Sequence, residues 1–289
     1  MVNGTCRITL MNNDAQYVNA IAQDGDFWYF PKSWAHSLQG VDPDLGCTMA
    51  LFFDAAQSPI FNDLDISEMI GAFPLDVLSE NLGTPVSVLE SFQQKSLVVS
   101  QGAFPPPPFP ESKHPLPEWP IFEAADGDCK DTGAGGYILE VRNEIFPATK
   151  TMSGAFMRLE EGSLRDIHWH PNADEMHFVL SGSVQVSIYG IGGVRDTYVI
   201  SAGDVGFVPK GYAHYLEAIG GPTELLLTFN NPSWTTQELS TWMAVTPSYL
   251  TAASLNTTAD VIVQYFPKSV EYFVGDKFAG CPAARRHRK

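Results

Sequence analysis

The sequence of 289 residues predicts an all-β protein made of two similar domains. Short apolar segments alternate with glycine turns, a pattern typical of antiparallel strands. A segment near the start of the chain recurs far downstream, which indicates a duplicated domain. A proline-rich stretch lies between the two copies, where a stiff linker is expected.

The clearest strand signals are apolar segments at 6–10, 178–180, 184–189, 198–200 and 205–208. Each is short, and glycine, proline or asparagine residues lie close to it. Helix-like segments follow the strands of each domain, at 65–92 and at 236–266. The predicted fold is therefore all-β with short flanking helices.

The repeated segment reads GDFWYFPKSWAH at 25–36 and GDVGFVPKGYAH at 203–214. Both copies share the initial Gly-Asp, the central Pro-Lys and the final Ala-His. Because the repeat spacing far exceeds that of a solenoid, it indicates two domains. The predicted organisation is a first domain with its helices at 1–92, a proline-rich linker at 93–134, a second domain with its helices at 135–275, and a basic tail at 276–289.

The charge of the chain excludes several classes of partner. A net charge of -16 argues against nucleic acid and against anionic membrane surfaces, which require clustered lysine and arginine. The basic run at 285–289 ends the chain and is interpreted as a solvated tail. No apolar stretch approaches the roughly 20 residues that span a bilayer. We therefore expect a small-molecule partner, with neither nucleic acid nor membrane.

The most specific chemical pattern lies in the second domain. His168 and His170 are two residues apart on a predicted strand, so both side chains project from one face. Glu175 opens the next strand after a turn, and His214 ends the second copy of the repeat. Three imidazoles and one carboxylate leave open coordination positions, which suits manganese or iron, whereas zinc is less usual with this set.

Two spaced motifs carry these residues, G-x5-H-x-H-x4-E-x6-G from Gly162 to Gly182 and G-x5-P-x-G-x2-H from Gly203 to His214. They resemble the motifs of the cupin superfamily. Together with GSLRDIHWH at 162–170, they make residues 1 to about 273 similar to the bicupin oxalate decarboxylase and oxidase family. The resemblance implies two jelly-roll barrels, with manganese bound at the second one. It also implies oxalate, a small dicarboxylate, as the substrate, and dioxygen as a further requirement if the protein is catalytic. The expected assembly is a homo-oligomer, either a trimer or a hexamer.

The resemblance also implies a role for Arg165 as the arginine that polarises bound oxalate. Strict alternation along a strand places Arg165 on the face opposite His168. The role therefore requires a bulge between the two residues, and a surface or interface arginine is the alternative.

The first copy of the repeat retains only His36 of the expected ligands. The counterpart of the H-x-H segment would lie before residue 1. We therefore expect an incomplete first barrel without a protein-only metal site, and an incomplete gene model as the reason.

A decarboxylase must protonate the carbon that departing carbon dioxide leaves behind. The family's decarboxylases carry this acid on a lid, and the corresponding stretch at 53–62 contains no glutamate. His177 is a candidate proton donor, with barrel packing as the alternative. Three functions stay open: decarboxylation of oxalate to formate, oxidation of oxalate with release of hydrogen peroxide, or a non-catalytic metal-binding or storage protein.

The compartment is left open by the sequence. Two glycosylation sequons, at Asn3 and Asn256, are compatible with a secreted protein whose signal region lies outside this chain.

Overall fold

A computed structural model describes residues 1–55, 65–92, 99–103, 108, 114–124, 129–131, 135–266 and 273–275. The chain divides into two compact units, one formed by Met1–Phe52 with Phe109–Lys289 and the other by Phe53–Pro108. Most of the proline-rich stretch, the lid segment from residue 56 and the predicted basic tail lie outside the described residues. The predicted domain boundaries stay a prediction.

The smaller unit contains three short helices, α1 (Ile66–Ala72), α2 (Leu75–Leu82) and α3 (Val86–Leu89). The carboxylate of Asp65 caps α1 by accepting a hydrogen bond of 2.7 Å from the backbone N–H of Glu68. Gly83 ends α2 in the left-handed region, which glycine adopts without strain. These helices agree with the helical prediction for 65–92.

The first 52 residues form small antiparallel sheets. One is the pair β1 (Asn3–Gly4) and β6 (Cys47–Thr48), another is β3 (Tyr17–Ala22), β2 (Cys6–Met11) and β5 (Ala35–Gly40) in spatial order, and β4 (Phe27–Trp28) pairs with β7 (Ile121–Phe122). Ile8 and Leu10 alternate with more exposed neighbours along β2 and are fully buried. The strand predicted at 6–10 is confirmed.

Two larger antiparallel sheets form the second domain. In spatial order, the first sheet contains β15 (Val205–Val208), β12 (Glu175–Ser181), β17 (Thr223–Phe229), β10 (Ser153–Leu159), β9 (Gly136–Val141) and β8 (Cys129–Asp131). The second contains β14 (Arg195–Ser201), β13 (Ser183–Tyr189), β16 (Ala213–Ala218), β11 (Leu164–Trp169) and β18 (Gln237–Glu238), and β19 (Phe273–Val274) also pairs with β11. The four strands predicted in this domain are confirmed.

One apolar core belongs to both sheets. Met157 and Leu225 contribute to it from the first sheet, and Val186 and Leu216 contribute from the second, all four being fully buried. Neighbouring strands in each sheet are mostly distant in sequence, so the chain crosses repeatedly from one sheet to the other. This is the arrangement of a jelly roll, and the predicted all-β fold class is confirmed.

Three helices follow β17, namely α4 (Leu239–Val245), α5 (Ser248–Ser254) and α6 (Ala259–Tyr265). They expose the large side chains of Trp242, Val245, Tyr249 and Tyr265. The trimer or hexamer expected from the resemblance stays a prediction. Within the described residues, no helix has the length and apolar character that crossing a membrane requires.

Candidate metal centre

The four side chains predicted to bind a metal ion lie together in the second domain. His168, His170, Glu175 and His214 each offer one ligand atom, and these atoms all lie within 4.8 Å of one another. All four residues are buried. The site predicted from two separate motifs is therefore one cluster in the folded chain.

Both sheets contribute to the cluster. His168 of β11 and His214 of β16 are direct Cα partners in the second sheet. Glu175 is the first residue of β12 in the first sheet, and His170 follows the last residue of β11. The ligand set therefore depends on the packing of one sheet against the other.

An irregularity in β11 brings Arg165 to the face that carries His168. The pairing of β11 with β16 shifts register between these two residues, and Ile167 between them is exposed. Arg165 itself is only 4% exposed and lines a small cavity together with His168, His170 and Glu175. The register shift that the role of Arg165 requires is present, and the burial of its side chain contradicts a surface position. The choice between the substrate role and an interface arginine stays a prediction.

The backbone fixes the orientation of all three imidazoles. The Nδ1 atoms of His168, His170 and His214 donate to the carbonyl oxygens of Asp166, Thr235 and Tyr212, at 2.6, 3.0 and 3.1 Å. A carbonyl oxygen only accepts hydrogen bonds, so each Nδ1 carries the hydrogen and each Nε2 presents a lone pair. This is the usual arrangement of histidines that bind metals through Nε2.

One carboxylate oxygen completes the cluster. Oε2 of Glu175 lies 2.9 Å from Nε2 of His170 and 2.9 Å from Nε2 of His214. Nε2 of His170 is buried without a hydrogen-bond partner in this geometry. Lone pairs packed this closely repel one another unless a cation lies among them, so the residues present fit a metal ion.

The ionisation of the cluster suits metal binding. Burial is the main cause that lowers the pKa of His168 well below 6.5, and it also lowers the pKa of His214. Burial by itself would raise the pKa of Glu175, but the neighbouring imidazoles, first His177 and then His214, hold that pKa well below 4.5. At neutral pH the site therefore offers His168 and His214 as neutral imidazoles and Glu175 as a carboxylate, which are the forms that bind metals.

The metal-free protein should lose stability as the pH falls below about 6.5. The folded-state pKa values of His168 and His214 lie below their ordinary value, so the unfolded chain binds protons that the folded chain does not. The lowered pKa of Glu175 adds a further loss at lower pH. Urea unfolding of chelator-treated protein at about pH 7.5 and about pH 5.5 measures the effect, and equal midpoints would contradict it.

His177 is fully buried beside Glu175 and not in the cavity. Its Nε2 lies 3.1 Å from Oε1 of Glu175, the oxygen that does not face the other two imidazoles. It is not among the cavity-lining residues of the described chain. We interpret His177 as a residue that orients the Glu175 carboxylate, and its role as proton donor stays a prediction without support from this position.

Two buried acids near the site were missed by sequence reasoning. Glu238 of β18 accepts a hydrogen bond of 3.1 Å from Nη2 of Arg165, and both side chains are buried. Glu140 of β9 lines the cavity itself. For Glu140, the available signal was its place as the single charged residue within the apolar strand segment YILEV, where burial without a partner would be costly.

His36, in the first copy of the repeat, lies on β5 and is exposed. Its Nδ1 lies 3.0 Å from the carbonyl oxygen of Trp34, and its ring packs 4.5 Å from that of Phe30. Among the described residues, the clustered ligand set does not include His36. The prediction that His36 has no protein-only metal site stays a prediction.

Comparison with known proteins identifies the family. A cupin family model matches residues 122–260. A probable oxalate decarboxylase from Arthroderma benhamiae is 30% identical over 276 residues, which cover 94% of this chain and 68% of the relative. The chain belongs to the bicupin oxalate decarboxylase family. Oxalate decarboxylase OxdC from Bacillus subtilis is 26% identical over 274 residues, covering 90% of this chain and 68% of OxdC.

A solved structure of this family shows the same fold. The Bacillus subtilis oxalate decarboxylase structure used to assign the EPR parameters of its Mn(II) centres superimposes with a TM-score of 0.83 at 22% identity. The match covers 96% of this chain and 74% of that chain. The family resemblance predicted from the two motifs is confirmed.

Proposed function

We propose that this protein binds manganese through its four-residue cluster and decarboxylates oxalate to formate and carbon dioxide. The observation that carries the proposal is the buried Arg165 in the same cavity as His168, His170 and Glu175. The relatives named oxalate decarboxylase support oxalate as the substrate, and the Mn(II) centres of the Bacillus subtilis enzyme support manganese. Iron and zinc are the alternative metals.

The cluster would hold the metal through the Nε2 atoms of His168, His170 and His214 and through Glu175. When bound, manganese would draw electron density from a coordinated carboxylate of oxalate. The chain's own contribution begins with the backbone carbonyls, which keep the three imidazoles in the required tautomer before any ligand arrives.

Arg165 supplies the positive charge that an anionic substrate needs. A guanidinium stays protonated in proteins and offers donors in a fixed fork, which matches a carboxylate. Its burial removes competing water, so the charge acts more strongly on negative charge that develops during the reaction. Glu238 holds the guanidinium through the contact of 3.1 Å, so its position is set in advance.

The proposal is tested by incubating manganese-loaded protein with oxalate in air and assaying formate and hydrogen peroxide separately. We expect formate without peroxide. Peroxide without formate would assign an oxidase, which consumes dioxygen. Neither product, with manganese retained, would assign a metal-binding protein without catalysis. Chelator-treated protein from the same preparation is the matched control and should release neither product.

A further inference from the structure

The proposed reaction needs a proton carrier, and the segment in which the family's decarboxylases hold one lacks glutamate here. The cavity beside the cluster contains a carboxylic acid from a different element. Glu140 lines this cavity together with Ile138, two residues earlier on β9. Because alternate strand residues share a face, β9 directs both side chains to the inside of the domain.

Glu140 lies on an inner strand of the first sheet, since β9 is placed between β8 and β10. β9 pairs with β10, where Glu140 and Ala155 are Cα partners. Ala155 is fully buried, and Glu140 is 7% exposed. A carboxylic acid this deep in an apolar strand costs stability unless partners compensate it, so a role in the cavity would explain its presence.

Glu140 and Glu175 are the two carboxylic acids that line the cavity in the described part of the chain. Glu175 is in contact with the imidazoles of the cluster, where it serves as a ligand. Arg165 lines the same cavity, but a guanidinium does not act as an acid in proteins. By elimination, Glu140 is the carboxylic acid there that can exchange a proton with a bound substrate.

Arg142 forms an ion pair with Glu140 and is itself partly exposed to solvent. Its Nη2 lies 2.9 Å from Oε1 of Glu140, and its guanidinium stacks 4.0 Å from the ring centroid of Trp234. Trp234 also lines the cavity. The Arg142 side chain is 23% exposed, against 8% for Glu140. The pair therefore holds the Glu140 carboxylate in place between the cavity and the partly exposed Arg142 side chain.

We propose that Glu140 is the acid–base residue of the oxalate site, an inference that rests on the proposed function. Glu140 enters ionised and takes the acidic proton of bound hydrogen oxalate. The bond between the two carbons then breaks, its electron pair stays on the carbon that becomes formate, and carbon dioxide leaves. Glu140 returns the proton to that carbon. Hydrogen oxalate thus becomes formate and carbon dioxide without a net oxidant or reductant.

The test compares Glu140→Gln with Glu140→Asp in the manganese-loaded protein. We expect Glu140→Gln to lower the rate of formate release about 100-fold or more, because a general acid–base residue contributes on this scale. Glu140→Asp keeps a carboxylic acid and should release formate at least about tenfold faster than Glu140→Gln. Manganese content and the oxalate dissociation constant from calorimetry should stay within about threefold of the original protein, since neither depends on proton transfer.

A matched control is Glu160→Gln. Glu160 also pairs with an arginine, Arg158 at 2.9 Å, but its side chain is 34% exposed and outside the cavity. This variant should release formate at the original rate.

Formate release within about threefold of the original in Glu140→Gln would overturn the role of Glu140. Loss of manganese or oxalate binding in parallel with activity would overturn it as well, in favour of a structural role. An original protein that binds oxalate and releases no formate would instead refute the proposed function.

Discussion

His168→Ala should abolish manganese retention by the purified protein. The substitution removes one of the four ligand atoms that lie within 4.8 Å of one another, and it removes the imidazole held by the Asp166 carbonyl. Changes to groups that merely orient a ligand already cost about 10-fold to 100-fold in affinity, so loss of a ligand should exceed that range. Metal analysis after gel filtration measures the result directly.

The repeat offers a control for this experiment. His36 occupies the matching last position of the first copy of the repeat, is exposed and stands outside the ligand cluster. His36→Ala should therefore retain as much manganese as the original protein. Near-stoichiometric manganese in His168→Ala would refute the assignment of the site, provided that circular dichroism shows both variants folded.

Arg165→Gln should lower formate release by about 100-fold or more while manganese is retained, because removal of one oriented donor to developing charge costs that much. The same substitution leaves Glu238 buried without its arginine. A buried ion pair broken on one side costs about 3–5 kcal/mol, so the unfolding midpoint in urea should fall as well. Steady-state formate assays and urea unfolding measure the two effects.

A second variant separates these effects. Arg165→Gln/Glu238→Gln removes both buried charges, so it should recover part of the lost stability. It should not recover formate release, because the positive charge in the cavity is still missing. Recovery of both formate release and stability in the double variant would show that Arg165 is structural. Unaltered formate release in Arg165→Gln would exclude any role of Arg165 in catalysis.

Much of the second domain could be predicted from local patterns. Segment 184–189 alternates apolar and polar residues, and segment 205–208 is a short apolar run between turns. Both signals are properties of neighbouring residues. The helices after each domain follow from the same kind of signal. The pairing of β12 with β17 or of β9 with β10 joins segments with no local mark of their partner, so register and sheet order required the folded chain.

The repeat paired two histidines that the structure places differently. His36 matches His214 in the sequence, but His36 is exposed whereas His214 is buried in the ligand cluster. The family assignment then rested on the two motifs of the second domain, which comparison with known proteins bears out.

The sequence by itself determined the four ligand side chains, His168, His170, Glu175 and His214. Two histidines two residues apart on one strand, a turn before the glutamate and a repeated motif that ends in the last histidine are sufficient to place them on converging elements. Only the tertiary structure decided what surrounds them. The bulge that turns Arg165 toward the cavity is a property of the β11–β16 register, and Glu140 reaches the site from a strand far from either motif. Contacts of this kind depend on the packing of two sheets, whereas a motif records only neighbours along the chain.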